Sequence, residues 1–444
     1  MSRLFGTDGV RGKAGQPPLD AQTIRRLGAA LARTFRHGEA PVRVLAGRDT
    51  RESGGWIERE LAFGMRSQDA TLTSAGIMPT PAIAFLTPRM GYTAGVVISA
   101  SHNPFDDNGI KVFSGAGEKF TEALERRVEA AMEDRSWSLP QGDAGPVEQV
   151  DYSTEYVEHL QGILPAGAGS GMRVAIDCAN GATSTIAPRL FHSLGFQARC
   201  IGCEPDGRNI NLHCGSTAPG QLARVVVENG YQLGIAYDGD GDRAIFVDAT
   251  GKVVDGDAVM LMCAKQMKAE GRLKGNTLVA TVMSNIGLEI ALREAGIEMS
   301  RTAVGDKYVM EEMMRRDLSL GGEQSGHIIF SEYLFTGDGL ATSLNVLRTM
   351  VASGRELADL AADLTAYPQI LVNVRVPRKV DLATVPAIAD VMSSVELRLA
   401  GHGRLLVRYS GTEPLLRVML EGRDQAEVAL WADEIVAAVK EHLV

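Results

Sequence analysis

One order of elements recurs three times along this chain, and it restricts the possible folds more than any composition figure. Arg173 to Ile176 reads as a buried strand ending in Asp177-Cys178-Ala179-Asn180-Gly181. A helix then runs to Leu194-Gly195 and a strand follows to Ile201. The same succession starts at Leu278 to Val282, with the loop Ser284-Asn285, a helix through Leu292, Gly296 as C-cap and a strand to Val304. Residues 42–76 show a looser version. Val42 to Ala46 leads into Gly47-Arg48-Asp49-Thr50-Arg51, then a helix around Ile57 to Met65 and a strand around Ala70 to Ala75. Strands alternating with helices in this way specify βαβ units. The likeness is in pattern and not in residue identity, so the chain is expected to use one α/β fold three times.

Asp20 caps a helix marked by Ile24, Leu27, Leu31 and Phe35, and Leu124, Val128 and Met132 mark another. Residues 136–171 change character. Trp137 to Val147 is rich in Pro and Gly, Tyr152 to Leu164 is a short amphipathic piece, and Pro165 to Gly171 is small and flexible, which places a boundary here. From about 367 the pattern shifts to strands at Ile370 to Val376, Arg404 to Arg408 and Leu416 to Leu420, with a final helix opened by Asp424. That is a smaller α+β domain. The predicted division is 1–150, 151–254, 255–366 and 367–444, in keeping with a length of 444 residues and domains of roughly 150.

A net charge of −10 argues against non-specific nucleic-acid binding, which needs a basic face. The five cysteines are odd in number and widely spaced, so no disulfide framework is expected. Cys200-Ile-Gly-Cys203 has metal or redox spacing but no second pair, and the thiols are read as reduced. Met-Ser-Arg-Leu-Phe-Gly has no apolar h-region, and nothing approaches 18 consecutive apolar residues. A cytoplasmic protein is expected. Gly167-Ala-Gly169-Ser-Gly171 precedes its strand where a dinucleotide fingerprint would follow it, and no Walker A sequence occurs.

Five stretches carry chemistry. In residues 95–113, Gly95 to Ile98 is a buried strand, Ser99-Ala-Ser101-His102 follows, and Asn103-Pro104 ends the element. Asn108-Gly109 reads as a turn before a second apolar run, Ile110 to Phe113. Ser101 is thus at the end of a strand, where open α/β sheets place their chemistry. With Lys111 nearby it suits a nucleophile or phosphate carrier, although a capping serine on a polar loop fits the same residues. Asp238-Gly-Asp240-Gly-Asp242-Arg243 follows the strand Gln232 to Tyr237. Three carboxylates at alternate positions repel one another unless a cation neutralises them, and Mg²⁺ prefers such oxygen ligands. An EF-hand fails, because its sixth position would be Arg243 and its twelfth Ala249.

Gly321-Gly-Glu323-Gln324-Ser325-Gly-His327 is a Gly-flanked loop whose Glu323 and Ser325 suit a pair of hydroxyls. His327 is either a proton-transfer group or a loop histidine satisfied by backbone. Lys307, in Gly305-Asp-Lys-Tyr308, adds a cation. Arg408-Tyr-Ser410-Gly411-Thr412-Glu-Pro414 with Arg417 offers hydroxyls, a backbone nest and guanidinium forks for an anion, or else a tight hairpin with surface arginines. Near the start, Leu4-Phe-Gly-Thr-Asp-Gly-Val-Arg11-Gly is Gly-rich and offers Arg11 to an anion. The arginines of residues 47–51 read as a solvated loop or as groups behind the site.

Taken together, these stretches resemble the α-D-phosphohexomutase superfamily, in the superfamily's own order and across nearly the whole chain. The resemblance implies three similar mixed α/β domains and a smaller C-terminal α+β domain around a central active-site cleft. It implies that Ser101 carries a phosphoryl group, and that Asp238, Asp240 and Asp242 hold one Mg²⁺ per subunit, completed by an oxygen of that phosphate. Glu323, Ser325 and Lys307 would bind sugar, and Arg408, Ser410, Gly411, Thr412 and Arg417 the non-reacting phosphate. Arg11, Lys111 and His327 join Ser101 as catalytic candidates, Arg11 and Lys111 also as proton handlers. Gln324 is typical of the glucosamine branch. The implied activity is an isomerase moving phosphate between O6 and O1 of D-glucosamine, through glucosamine 1,6-bisphosphate as intermediate and activator, towards UDP-N-acetylglucosamine. The phosphomannomutase/phosphoglucomutase branch is the alternative within the superfamily. A phosphoserine-intermediate phosphatase and a non-catalytic sugar-phosphate sensor are the alternatives outside it. The expected partners are a small-molecule sugar phosphate and a second copy of the chain as a homodimer, with no nucleic acid and no membrane.

Overall fold

The computed structural model describes residues 4–6, 8–36, 38, 40–399, 401–410 and 414–443. The chain forms two compact units, a larger one of residues up to 283 with 299–362, and a smaller one of 284–298 with 363 onward.

The larger unit holds three sheets. The first comprises β1 (Val10–Lys13), β2 (Val42–Arg48), β3 (Ala70–Ile77), β4 (Ala94–Ile98), β5 (Asp107–Ser114) and β6 (Glu148–Gln149), ordered β1-β5-β4-β2-β3-β6. The second comprises β7 (Arg173–Asp177), β8 (Gln197–Ile201), β9 (Leu233–Tyr237), β10 (Ala244–Asp248) and β11 (Val253–Val254), ordered β11-β10-β9-β7-β8. The third comprises β12 (Thr277–Thr281), β13 (Glu298–Thr302), β14 (Leu320–Gly322) and β15 (Ile328–Phe330), ordered β13-β12-β14-β15. The first sheet is accompanied by α1 (Ala21–Phe35), α2 (Gly54–Arg66), α3 (Thr80–Arg89) and α4 (Glu122–Glu133), and the second by α5 (Ser153–Gln161), α6 (Ile186–Ser193) and α7 (Gly220–Asn229). Then come α8 (Gly256–Ala269), α9 (Ile286–Glu294), which belongs to the smaller unit, α10 (Asp306–Arg316), α11 (Gly339–Ser353) and α12 (Leu357–Ala361).

The expected threefold use of one fold is visible in the strand order. β3-β2-β4-β5, β8-β7-β9-β10 and β13-β12-β14-β15 are the same path. In each, the second and third strands of the path are parallel. The last pair is an antiparallel hairpin. β4, β9, β10 and β12 are buried at every position, as strands covered on both faces are. Their small and β-branched residues fit that environment. α1 begins as predicted, with the Asp20 side chain accepting from Thr23 N at 3.0 Å, and it buries Ile24, Leu27, Leu31 and Phe35.

Two local expectations fail. Asn108-Gly109 is not a turn but lies inside β5, with Gly109 opposite Arg11 of β1. The Asn108 amide donates to Ser53 Oγ at 2.8 Å, so its hydrogen bonding is spent on the residue that opens α2. Gly109 is there for close approach, because a Cβ would stand 2.6 Å from the Ser99 carbonyl oxygen. The chain instead turns at Pro104–Asp107, where Asp107 N donates to Pro104 O. Likewise Gly321 and Gly322 belong to β14, and the following loop starts only at Glu323.

The smaller unit has an antiparallel sheet of β16 (Gln369–Arg375), β17 (Arg404–Tyr409) and β18 (Leu415–Glu421), ordered β16-β18-β17. α13 (Pro386–Leu399) and α14 (Gln425–Leu443) pack on it over Val374, Ile388, Leu416, Val418 and Ile435. Asp424 caps α14 as predicted, accepting from Ala426 N and Glu427 N. Among the described residues, no helix is long and apolar enough to cross a membrane.

Candidate active site

The three hairpins of the repeated path carry three of the sequence-predicted loops. Residues 99–106 join β4 to β5, 238–243 join β9 to β10, and 323–327 join β14 to β15. Equivalent strand order therefore delivers Ser101, the aspartate triad and the Glu323 loop from equivalent places.

Ser101 is 1% exposed and sits at φ 53°, in the left-handed region that non-glycine residues seldom enter. The strain is held by bonds on every side. Ser101 N donates to Ser99 Oγ at 2.9 Å, and Ser99 Oγ donates to Asp49 Oδ2 at 2.6 Å. Arg51 Nε donates to that same carboxylate at 2.8 Å. The Arg51 guanidinium also donates to the carbonyls of Ser101 (3.0 Å), Asn103 (2.9 Å), Asp107 (2.9 Å) and Pro104. Asn211 Nδ2 donates to the Ser101 and Asn103 carbonyls at 2.9 and 3.0 Å. Arg51 is thus no solvated loop residue. Its side chain is fully buried and splints the serine loop.

The Ser101 hydroxyl donates to Asp238 Oδ2 at 2.5 Å. Asp238, Asp240 and Asp242 are all buried and bring one oxygen each within 4.8 Å of the others. Gly239 is required between them, since a Cβ there would stand 2.5 Å from the Ser101 carbonyl oxygen. Thr80, at the start of α3, donates its hydroxyl to Asp240 Oδ2 at 2.5 Å and its amide to the Asp240 carbonyl at 2.8 Å. Asp240 Oδ1 and Asp242 Oδ1 are buried without a hydrogen-bond partner. Three convergent hard oxygen donors, two of the residues keeping an oxygen unspent, fit a divalent cation such as Mg²⁺. Burial, and then the like charges of Asp242 and Asp240, push the Asp238 carboxyl well above the usual carboxylate range. A cation between the three would reverse that balance.

Lys111, 2% exposed, reaches Asp240 at 2.8 Å, Asp242 at 3.1 Å and Asp8 at 3.1 Å. Burial alone would neutralise it, but these carboxylates hold it well above the usual lysine range. Lys111 therefore brings a positive charge against the aspartate triad. Asp8 pairs in addition with Arg11 at 2.5 Å and Lys119 at 2.8 Å, and Lys119 pairs with Asp306. Burial works against the ionised form of Asp8, yet Lys111, Lys119 and Arg11 outweigh it and hold the carboxyl well below its usual value. Asp8, Arg11, Arg243, Gly305, Asp306 and Glu323 line a cavity of about 480 Å³.

His327 is 1% exposed, and its Nε2 accepts the Gly337 backbone N–H at 3.0 Å. Its two nitrogens lie 3.6 Å from Asp242 and 3.4 Å from Asp306. His327 thus has a backbone partner and a carboxylate facing each ring nitrogen. Glu323 accepts from Gly305 N at 3.1 Å, while Ser325 is exposed. Gln324 does not face the cavity, because its Nε2 donates to Asp255 Oδ2 at 3.0 Å and ties the loop to the cap of α8. Lys307 pairs with Glu125 at 3.4 Å.

In the smaller unit, Arg408 and Arg417 face each other across β17 and β18. Burial and the facing Arg417 weaken the hold of Arg408 on its proton, which an anion would relieve. Ser410 is 3% exposed, its amide bonded to Leu415 O at 2.8 Å and its carbonyl accepting from Lys379 Nζ at 2.7 Å. Gly411 and Thr412 lie outside the described residues.

The sequence reading passed over Asp8, Thr80, Lys119, Asn211 and Asp306. Asp8 and Asp306 stand inside stretches noted for Arg11 and Lys307, so a carboxylate beside a candidate anion site was the available signal. Thr80, Lys119 and Asn211 carried none, since only the tertiary fold brings them in.

Four segments match, in order, the phosphoglucomutase/phosphomannomutase α/β/α domain I (residues 2–138), domain II (154–251), domain III (255–367) and the C-terminal domain (371–438). With the strand order and the serine and aspartate loops in place, the chain belongs to the phosphoglucomutase/phosphomannomutase family. Its curated relatives include the phosphoglucosamine mutase of Geobacter sp. (strain M21), 47% identical over 100% of this chain and 99% of that protein. The phosphoglucosamine mutase of Solibacter usitatus (strain Ellin6076) is 48% identical over 99% of each. In fold, the chain matches a phosphoglucomutase/phosphomannomutase family protein of Burkholderia thailandensis, with TM-score 0.83 and 24% identity over 99% and 98% of the two chains. It also matches the N-acetylphosphoglucosamine mutase of Aspergillus fumigatus, solved in complex with GlcNAc-6P and magnesium, with TM-score 0.69 and 18% identity over 99% and 96%.

Proposed function

We propose that the chain interconverts D-glucosamine 6-phosphate and D-glucosamine 1-phosphate, as a phosphoglucosamine mutase does. The choice of sugar is supported by full-length relatives of that name. The chemistry is carried by one observation, the 2.5 Å contact between the Ser101 hydroxyl and the buried aspartate triad. A phosphoryl group on Ser101 Oγ passes to the free hydroxyl of the sugar phosphate. The Ser101–phosphorus bond breaks, a new ester forms, and glucosamine 1,6-bisphosphate results. The bisphosphate turns end for end and returns its other phosphoryl group to Ser101. Trace bisphosphate activates by restoring any serine that has lost its phosphate. Asp238, Asp240 and Asp242 are the residues that would hold Mg²⁺, which supplies positive charge beside the transferring oxygens when bound.

The chain's own residues do the rest. Arg51 and Asn211 hold the serine loop in its strained position. Lys111 supplies a fixed positive charge at the triad, and Arg11 and Arg243 present guanidinium groups to the cavity. Glu323, Ser325 and Lys307 offer a carboxylate, a hydroxyl and an ammonium for sugar recognition. His327 positions Asp242 from behind. Arg408, Ser410, Gly411, Thr412 and Arg417 form a phosphate loop of their own in the smaller unit. The division at 150, 254 and 366 belongs to this reading, since each of the four sheets closes within one of those segments.

The test compares turnover of glucosamine, glucose and mannose 6-phosphates in a coupled assay, with intact mass before and after substrate. Glucosamine 6-phosphate is expected to turn over fastest, and the protein to carry one phosphoryl group. Ser101→Ala should abolish the label and lower turnover by more than ~10³-fold, the scale of losing a covalent nucleophile. Faster turnover of mannose 6-phosphate would overturn the choice of sugar, and an active unlabelled Ser101→Ala protein would overturn the chemistry.

A further inference from the structure

The cavity lined by Asp8, Arg11, Arg243, Asp306 and Glu323 holds carboxylates that a phosphate group alone would not favour, since like charges repel. Its guanidinium groups come from the first and second segments. Asp8 is fully engaged with cations. Its Oδ1 meets Lys119 at 2.8 Å, and its Oδ2 meets Arg11 at 2.5 Å and Lys111 at 3.1 Å. The two carboxylates of the third segment are only half engaged. Glu323 gives Oε1 to the Gly305 N–H at 3.1 Å. Asp306 gives Oδ2 to Lys119, and His327 Nε2 lies 3.4 Å from that same oxygen. Glu323 Oε2 and Asp306 Oδ1 have no partner among the described residues, and neither is sealed from solvent.

The backbone sets these two carboxylates beside each other. Gly305 stands at φ 131°, a conformation that suits glycine, and Asp306 is the first residue of α10 after it. The amide that Glu323 binds is the amide of Gly305 itself. Neighbouring carboxylates with an oxygen each to spare are best satisfied by a positive group between them. In a small ligand that also carries phosphate, an ammonium answers this need, with N–H donors and a full charge. Its charge-assisted bonds are about twice as strong as neutral ones.

We propose that Asp306 Oδ1 receives the 2-ammonium group of the bound amino sugar, and that this contact sets glucosamine 6-phosphate apart from a neutral hexose 6-phosphate. Glu323, with Ser325, is left for ring hydroxyls that both sugars share. Lys119, by holding Oδ2, leaves Oδ1 as the oxygen for the ligand. Glucose 6-phosphate offers a neutral hydroxyl at C2, which brings the carboxylate no compensating charge. A polar site left without its matched partner discriminates strongly against the analogue. The assignment rests on the proposed function for its substrate.

The full-length protein with Mg²⁺ is assayed for kcat/KM on glucosamine 6-phosphate and on glucose 6-phosphate. The ratio of the two is the readout, because partial unfolding of a variant cancels from it. Asp306→Asn should lower the ratio roughly tenfold or more, and Asp306→Glu should restore most of it. Glu323→Gln should lower both substrates together and keep the ratio. On the parent protein the ratio should also fall as pH rises past the pKa of the sugar ammonium. Titration of the groups around the site, Asp8, Arg11, Lys111, Lys119, Arg243, Glu323 and His327, is common to both substrates and cancels. An unchanged ratio in Asp306→Asn, or a parent ratio flat with pH, overturns the assignment. A ratio lost in Glu323→Gln but kept in Asp306→Asn overturns it in favour of Glu323. A parent that prefers glucose 6-phosphate would instead overturn the choice of sugar, and this assignment with it; a parent that prefers glucosamine 6-phosphate leaves that choice standing whatever Asp306→Asn does.

Discussion

Arg51 shows how much one side chain can organise. It is an arginine with no exposed side-chain surface, paired with an equally buried Asp49 and spread over four carbonyls of the serine loop. A buried pair adds little stability compared with an apolar substitute, but removing one partner strands the other. Arg51→Ala is therefore expected to cost about 3–5 kcal/mol in urea unfolding and to relax Ser101 from its left-handed φ. An unchanged unfolding midpoint would contradict the splint role. The sequence could not rank Arg51 above Arg48, because both read as part of one polar stretch, and only the fold ends β2 at Arg48 and buries Arg51 fully. Ser101 and the aspartates were legible for the opposite reason. Their spacing is local, and repulsion among three close carboxylates follows without a fold.

At the scale of elements, the strands were legible where small and β-branched residues run together, and Asn108-Gly109 misled because its turn chemistry was spent on Ser53 and on close packing. α8 and α11 left little periodic signal because they are buried on most sides; a helix without a solvent face has no polar stripe. α11 carries its own titration. Its cap, Asp338, accepts from Ala341 N at 2.9 Å and from the Tyr156 hydroxyl at 2.8 Å. Burial pushes its carboxyl from the ordinary 3.8 to about 6. Between those values the folded chain binds the proton that the unfolded chain releases, so stability falls as pH rises through this window and levels off above it. Two pKa units correspond to roughly 3 kcal/mol. In metal-free buffer, Asp338→Asn should gain about that much relative to the parent between pH 4 and 6.5, measured as the difference in urea-unfolding free energy. Parallel pH profiles would refute the assignment.

At the scale of the molecule, the larger unit is knitted through charge as well as apolar core. Lys119 joins Asp8, next to the first sheet, to Asp306, at the start of α10 in the third segment. A divalent cation at the triad should add to this by binding the folded chain alone. Mg²⁺ at about 100 times its dissociation constant is expected to contribute roughly 2.7 kcal/mol to thermal stability. Asp240→Asn should remove most of that gain, and equal Mg²⁺ stabilisation of both proteins would show that the triad is not the site. The repeated strand path has a longer-term consequence. Each functional loop is a tether of five to eight residues between two strands whose pairing does not depend on it. Substitutions there that spare close-approach glycines such as Gly239 leave the strand pairing alone, so the third tether can change while the first two stay as they were. Descent from one ancestral module would thus have freed three loops to evolve at separate rates.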